Sequence, residues 1–294
     1  MNLSKSLKNR IKSKKTLMRS LTTFKIGGAT KYYFEPANQE ELGESLIFAK
    51  KKKLKIYCIG SGSNVLADDK GLKGAVIRLN NKNFKNFKFQ EAKLVAQAGC
   101  LLSSLIGQAG IRNLSGLEYF TGIPGTLGGA LVMNAGIREK NIGDLVEDVT
   151  IMDYNGSIKT LKKSEIGFGY RSSRLSGVVV LGATLKLKKS SAAKINEIRE
   201  KLIAARKKSQ DWSWPSAGCI FKNPPGESAG KLIDLCGLKG KRVGGAQVSL
   251  KHANFIVNKG NATSRDVLRL INIIKNAVNR KFKVKLESEI KIWR

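Results

Sequence analysis

One histidine, four cysteines, five prolines and only 22 acidic residues occur in a chain of 294. Each shortage excludes something. Cys58, Cys100, Cys219 and Cys236 are widely spaced and form no CxxC pair. A zinc site made from them would need the lone His252 and would have no ligand pair at local spacing, so no metal is expected. Reduced thiols, and hence a cytoplasmic chain, are the better reading. No apolar run approaches the span of a membrane helix. No short apolar block with a cleavage site follows the basic start, which argues against a secretory signal.

The scarcity of acids leaves 54 Lys and Arg against 22 Asp and Glu, a formal net charge of +32. Such a charge attracts polyanions over long range, so nucleic acid has to be weighed as a partner. Yet the lysines are spread through the whole chain. Trp212, Trp214 and Trp293 belong to no repeated basic-aromatic module, and no helix-turn-helix, zinc-finger or RNP pattern is present. A basic proteome background, or a site for small anions, explains the charge at least as well, and no nucleic acid is expected.

What is there suits a folded chain of two domains, or one with lobes: 41% of residues are hydrophobic. Leu3, Leu7 and Ile11 recur at helical spacing among lysines, predicting a basic amphipathic helix or leader over residues 1–21. "KYYFEP" reads as a strand, "NQEELGESLIFAKKKK" as a helix and "LKIYCIG" as a buried strand. Short strands and glycine-rich turns then run to about Lys189, followed by a charged helix over Ala192–Lys208. Near the end, Val267, Leu268, Ile271, Ile274 and Val278 mark one face of a helix from about Ser264 to Lys281. Thr263 and Asp266 have capping-box spacing at its start. Strands and helices alternate without strict βαβ periodicity, which predicts an α+β fold.

Four segments could carry chemistry. Gly60-Ser61-Gly62-Ser63-Asn64 follows a strand and offers consecutive backbone amides with little side-chain bulk, a possible nest for a pyrophosphate. A Rossmann fingerprint would need a third glycine and a following helix, but Asn64-Val65-Leu66 leads into another strand. An ordinary glycine turn and a phosphate cradle are equally supported. The stretch Ser115–Gly136 lacks the Gly-Lys-Ser/Thr end of a P-loop. Its dense glycine requires close backbone approach, to a flat cofactor or to a neighbouring lobe. Arg171 in "GFGYRSSR" can offer a planar bidentate fork to a carboxylate or phosphate, or be a surface arginine. Glu287 and Glu289 in "LESEIKIW" would share a face if that stretch is a strand.

In order and spacing these segments resemble the UDP-N-acetylenolpyruvoylglucosamine reductase family, flavoenzymes of bacterial peptidoglycan precursor synthesis. The resemblance runs from "TTFKIGG" at Thr22 through "GSGSN", "GLEYFTGIPGTLGGA", "NAG", "GYR" and "PSAGCIFKNP". It continues through "AGKLIDLCGLKG", "GGAQVSLKHANFIVN" and "LESE", covering nearly everything after the first 20 residues. The short span between Arg171 and Cys219 resembles the family's shorter type, without an inserted tyrosine-bearing loop.

The resemblance implies a two-lobed FAD-binding domain of the vanillyl-alcohol-oxidase type over residues 22–190, with lobes of about 22–79 and 80–190. An α+β substrate-binding domain would follow over residues 191–294. FAD would be held without a covalent link by Gly60, Ser61, Gly62, Ser63 and Asn64 at the pyrophosphate. Thr121, Gly122, Ile123, Pro124, Gly125, Gly128, Gly129 and Asn134 would lie along the flavin. NADPH would be the reductant, UDP-N-acetylglucosamine enolpyruvate the substrate, and the protein a monomer.

In the implied reaction flavin N5 delivers hydride, Arg171 stabilises the developing enolate, Glu289 is the carboxyl group of the site and Cys219 donates the proton. Most members of the family have serine where this chain has Cys219. Tyr170, Lys208, Asn223 and His252 fall at positions of substrate contact. Two rival readings are a basic nucleic-acid-binding protein on a relict flavin fold, and a flavin oxidase of the same fold with another substrate.

Overall fold

The computed structural model describes Leu7 and residues 16–294. Leu3 and Ile11, and most of the expected N-terminal helix, lie outside the described residues. Leu7 is helical and fully buried, and Met18–Leu21 forms one short turn of helix.

Two compact units are interleaved along the chain. One contains Tyr32–Ser61 and Gly74–Arg206, the other Gly62–Lys73 and Lys207–Arg294 together with residues 16–31.

In the first unit, the helix Gln39–Lys51 starts where the Asn38 side chain accepts from the Glu41 N–H at 2.9 Å. Glu40 and Glu41 lie at its positive end and Lys50 and Lys51 at its negative end, both favourable to the helix dipole. The strand Ile56–Ile59 pairs in parallel with Leu72–Arg78. It buries Tyr57 and Ile59 but leaves Cys58 exposed, so this strand is covered on one face rather than buried on both.

A five-stranded antiparallel sheet forms the rest of this unit. Its order is Phe87–Gln90, Lys93–Gln97, Val179–Lys186, Val146–Met152, Ile158–Lys162. Alternating residues such as Leu94, Ala96, Ala183, Leu185 and Val149 point inward, against the helix Leu102–Ile111 and the turn of helix Leu127–Val132.

The second unit has a four-stranded antiparallel sheet in the order Ser216–Cys219, Phe255–Asn258, Ala246–Val248, Arg242–Val243. The helix Ser264–Phe282 covers it, burying Val267, Leu270, Ile271, Ile274 and Val278. The capping box at its start is present. The Thr263 hydroxyl accepts from the Asp266 N–H at 3.1 Å, and the Asp266 carboxylate accepts from the Thr263 N–H at 3.0 Å. Lys283, left-handed at φ +59°, stops it. Phe24, Ile26 and Leu66 join this core from the chain's earlier segments. Lys291–Trp293 pairs in parallel with Val65–Ala67.

The ending "LESEIKIW" is not one continuous strand. Only Lys291–Trp293 is a strand, while residues 286–289 are extended and make a single bridge, Ser288 to Phe221. Glu287 points to solvent and pairs with Lys222 at 2.7 Å, whereas Glu289 is half-buried.

Candidate active site

In the first unit, Gly60 and Ser61 end the strand Ile56–Ile59. Gly60 has no room for a side chain, because a Cβ would stand 2.3 Å from Thr126 Oγ1. Two glycine-rich segments far apart in sequence therefore meet here. Thr126 caps the helix Leu127–Val132, its hydroxyl accepting from Gly129 N–H at 3.4 Å. Residues 125–128 are laid along 98–102 by three backbone bonds: Leu102 N–H to Gly125, Leu127 N–H to Cys100 and Gly128 N–H to Ala98. Thr121 is buried, while Gly122, Pro124 and Gly129 are exposed and Ile123 and Gly125 half-buried.

This is a surface of backbone and small side chains, fixed in place by its neighbours. It suits a large, flat, anionic group that needs close approach to the main chain. On that ground the residues present fit FAD.

Arg171 belongs to the same unit. Tyr170 and Arg171 form the tip of a tight turn closed by Gly169 N–H to Ser172 at 3.0 Å and Ser172 N–H to Gly169 at 3.3 Å. Arg171 is left-handed at φ +51°, and its Nη2 donates to the Gly136 carbonyl at 2.8 Å. Its guanidinium carbon lies 5.1 Å from the Tyr170 ring centroid, a cation–π distance. Asn134, expected along the flavin, is 5% exposed and has both ends of its amide bonded to backbone, at Gly169 and Gly143.

The second unit holds Gly62, Ser63, Asn64, Lys208, Cys219, Asn223, His252 and Glu289. Cys219 pairs with Phe255 across an irregularity in the strand, and Gly218 sits in that irregularity at φ +74°. A glycine in the left-handed region is what a bulge of this kind requires, and it re-aims the next side chain, here Cys219. The Asn254 carbonyl accepts from the Ile220 N–H at 2.8 Å. Its side-chain amide closes a pair of bonds on Phe221, accepting from N–H at 3.0 Å and donating to C=O at 2.8 Å.

On the other side of the same segment, Lys222 N–H donates to Glu287 and Glu289 N–H to Ile220. Cys219 and Glu289 are thereby brought to neighbouring extended segments of one unit. Asn64 ties in as well: its amide donates to the Glu289 carbonyl at 3.3 Å, and its own carbonyl accepts from Lys291.

Asn223 accepts from Ala229 N–H with its side chain at 3.0 Å, and Lys208 is exposed near the end of the helix Ala192–Ser209. His252 Nδ1 accepts from the Asn254 N–H at 3.2 Å, which leaves the ring proton on Nε2. Burial, with Lys239 nearby adding to it, pushes the imidazole below its ordinary value and keeps it neutral. Cys100, by contrast, is buried in the first unit's core, and its burial pushes the thiol up, away from reactivity. Among the described residues no cluster of three or more His, Cys, Asp or Glu could hold a metal, and no helix is long and apolar enough to cross a membrane.

Sequence reasoning did not find Thr126 or Asn254. Thr126 carried a usable signal, a hydroxyl residue immediately before a small-residue helix. Asn254 carried none, since its importance comes from a strand partner 33 residues away.

Residues 209–293 match the C-terminal domain of UDP-N-acetylenolpyruvoylglucosamine reductase, and residues 30–162 match an FAD binding domain. The UDP-N-acetylenolpyruvoylglucosamine reductase of Moorella thermoacetica is 42% identical over 99% of this chain and 96% of its own length. The chain belongs to the UDP-N-acetylenolpyruvoylglucosamine reductase family.

Reductase 2 of Symbiobacterium thermophilum is likewise 42% identical, over 92% of this chain and 89% of its own. The crystal structure of the reductase from Thermus caldophilus matches with a TM-score of 0.84 at 38% identity, covering 97% of this chain and 100% of that one. Physcomitrella patens BBE-like 1, at 15% identity and a TM-score of 0.50, covers 64% of this chain and 45% of its own and shares fold alone. The fold is thus α+β with an FAD-binding domain of the vanillyl-alcohol-oxidase type, and the chain is an oxidoreductase of peptidoglycan precursor synthesis that uses FAD.

Proposed function

We propose that the chain reduces UDP-N-acetylglucosamine enolpyruvate to UDP-N-acetylmuramate with NADPH as reductant, the two taking turns at one site. Family membership supports the reaction. The observation that carries the assignment of residues is the pairing of the segment following Cys219 with the segment leading to Glu289. We assign cofactor binding to residues 22–190 and substrate binding to residues 191–294.

Gly60–Asn64 would receive the pyrophosphate and Thr121–Gly129 the flavin. Bound there, FAD would supply hydride chemistry, with NADPH as the reductant.

The chain's own residues do the rest. As the vinyl group is reduced at its terminal carbon, negative charge builds on the enolate and its carboxylate. Arg171, its guanidinium held by Gly136, opposes that charge in a fixed geometry. Cys219 gives its thiol proton to the carbon next to the carboxylate, so that one hydride and one proton together complete the two-electron reduction of the double bond, and the thiolate left behind is reprotonated from solvent. A thiol is a far stronger acid than a serine hydroxyl, so the exchange for serine leaves a competent donor. Glu289, half-buried on the neighbouring segment, supplies a carboxyl group to bridge the enolic acid. Tyr170, Lys208, Asn223 and neutral His252 offer donors to the anionic sugar nucleotide.

The test is an anaerobic half-reaction. Photoreduced holoenzyme mixed with UDP-N-acetylglucosamine enolpyruvate should lose its reduced-flavin spectrum rapidly, and simple alcohols or oxygen should not substitute. Failure to reoxidise, with oxygen acting instead, would make the protein an oxidase of the same fold. Steady-state kinetics should be ping-pong with substrate inhibition, and a stable ternary complex would contradict the shared site.

A further inference from the structure

We infer that Asn134 is a positioning residue for Arg171, not a contact of the cofactor; the inference rests on the role of Arg171 proposed above. Three observations in one unit carry it. The Asn134 amide donates to the Gly169 carbonyl at 2.9 Å, the residue at which the turn bearing Tyr170 and Arg171 opens and closes. Its other end accepts from Gly143 N–H at 3.0 Å, so the side chain cannot swing away without losing a buried bond. Two residues on, the Gly136 carbonyl accepts from Arg171 Nη2 at 2.8 Å. One short segment therefore grips Arg171 at both its backbone turn and its guanidinium.

The backbone conformations point the same way. Asn134 at φ +42° and Arg171 at φ +51° are both left-handed non-glycine residues. Arginine in this region is sparsely populated and persists only where the surroundings over-determine it. Here the grip comes from Gly169, Ser172, Asn134 and Gly136. Gly136 and Gly143 leave no slack. A Cβ at Gly136 would be 2.2 Å from the Lys140 carbonyl, and one at Gly143 would be 2.8 Å from Asn134 Oδ1. Asparagine suits the post because it tolerates the left-handed region and carries a donor and an acceptor on one rigid group.

Two variants separate this role from the alternatives. Asn134→Asp keeps the acceptor for Gly143 but sets a second oxygen against the Gly169 carbonyl. Asn134→Gly accepts the left-handed backbone and removes the amide, and it serves if the aspartate variant does not fold. Each is made in the native background and with Arg171→Ala, and flavin content, melting temperature and both half-reactions are measured on the holoenzyme.

Expected are full flavin content, unchanged reduction by NADPH, and reoxidation by UDP-N-acetylglucosamine enolpyruvate slowed by up to about 10²-fold, the scale of an ångström-level misplacement. In the Arg171→Ala background the same substitutions should slow reoxidation no further. Loss of flavin with normal reoxidation of what remains bound would make Asn134 a cofactor contact, and equal slowing in both backgrounds would make it independent of Arg171; either overturns the inference. If Arg171→Ala alone leaves reoxidation unchanged, the underlying role of Arg171 fails and the inference with it.

Discussion

The Glu289 N–H donates to the Ile220 carbonyl at 2.8 Å, one residue beyond Cys219. The two acidic groups assigned to the substrate step thus sit on neighbouring extended segments of one unit, joined by main-chain bonds and not by loops free to drift. Asn254 clamps the same segment from its other side. Substitutions can therefore be sorted by whether they remove a reacting group or loosen the frame that holds it.

Cys219→Ser should keep the substrate half-reaction, because a hydroxyl can still donate a proton. Cys219→Ala should slow it by about 10²- to 10⁴-fold, the usual worth of a general acid. Flavin reduction by NADPH should be unchanged in both. Stopped-flow measurement of the two half-reactions decides the matter, and near-normal reoxidation in the alanine variant would reduce Cys219 to packing.

Gly60→Ala places a methyl group 2.3 Å from Thr126 Oγ1. The turn must then shift, and flavin content after purification should fall. Adding Thr126→Ala removes that oxygen, leaves Thr126 Cβ at 3.4 Å as ordinary contact, and should restore part of the flavin at the expense of a helix cap worth about 1 kcal/mol. Flavin absorbance relative to protein reads out both variants. No difference between them would mean that the contact with Thr126 does not shape the cofactor site.

Asn254→Ala strips both bonds from the Phe221 backbone at a position only 3% exposed. Leaving a buried N–H and C=O unpaired should cost about 3 kcal/mol in denaturant unfolding. Turnover should fall as well, since the segment carrying Cys219 loses one of its two lateral supports.

His252 gives a pH signature. Burial lowers its folded-state affinity for a proton, so the unfolded chain binds more protons once the pH drops below the ordinary histidine value of ~6.5. Its contribution to stability is full above that value and is lost as the pH falls through the lower folded one. As the sole histidine in the chain, it has no histidine neighbour to blur the effect. Native protein should lose stability between about pH 7.5 and about pH 5.5 more steeply than His252→Gln, measured by urea unfolding. Parallel slopes would show that the ring is already solvated.

Local chemistry was readable without a structure. The helix Ser264–Phe282 announced itself through its apolar period and the Thr263–Asp266 box, and both are present. The strand after Asn64, which excluded a Rossmann turn, is Val65–Ala67. The ordered motifs were enough to name the family, because nearly every glycine-rich turn and polar cluster of the chain takes part in them.

Which segments meet was not readable. Nothing in "LESEIKIW" says that pairing begins at a single bridge to Phe221, or that Glu287 turns outward to Lys222 while Glu289 stays half-buried. Nothing in "NAG" says that its asparagine reaches Gly169 and its glycine Arg171. Helix caps and periodic faces depend on residues three or four apart, so the sequence alone determined them along with the chemistry on offer. The bulge at Gly218, the clamp of Asn254 and the grip on Arg171 depend on hydrogen bonds between segments roughly 35 residues apart or more in the chain, whose register is set by burial of whole sheets and helices, and those only the tertiary structure decided.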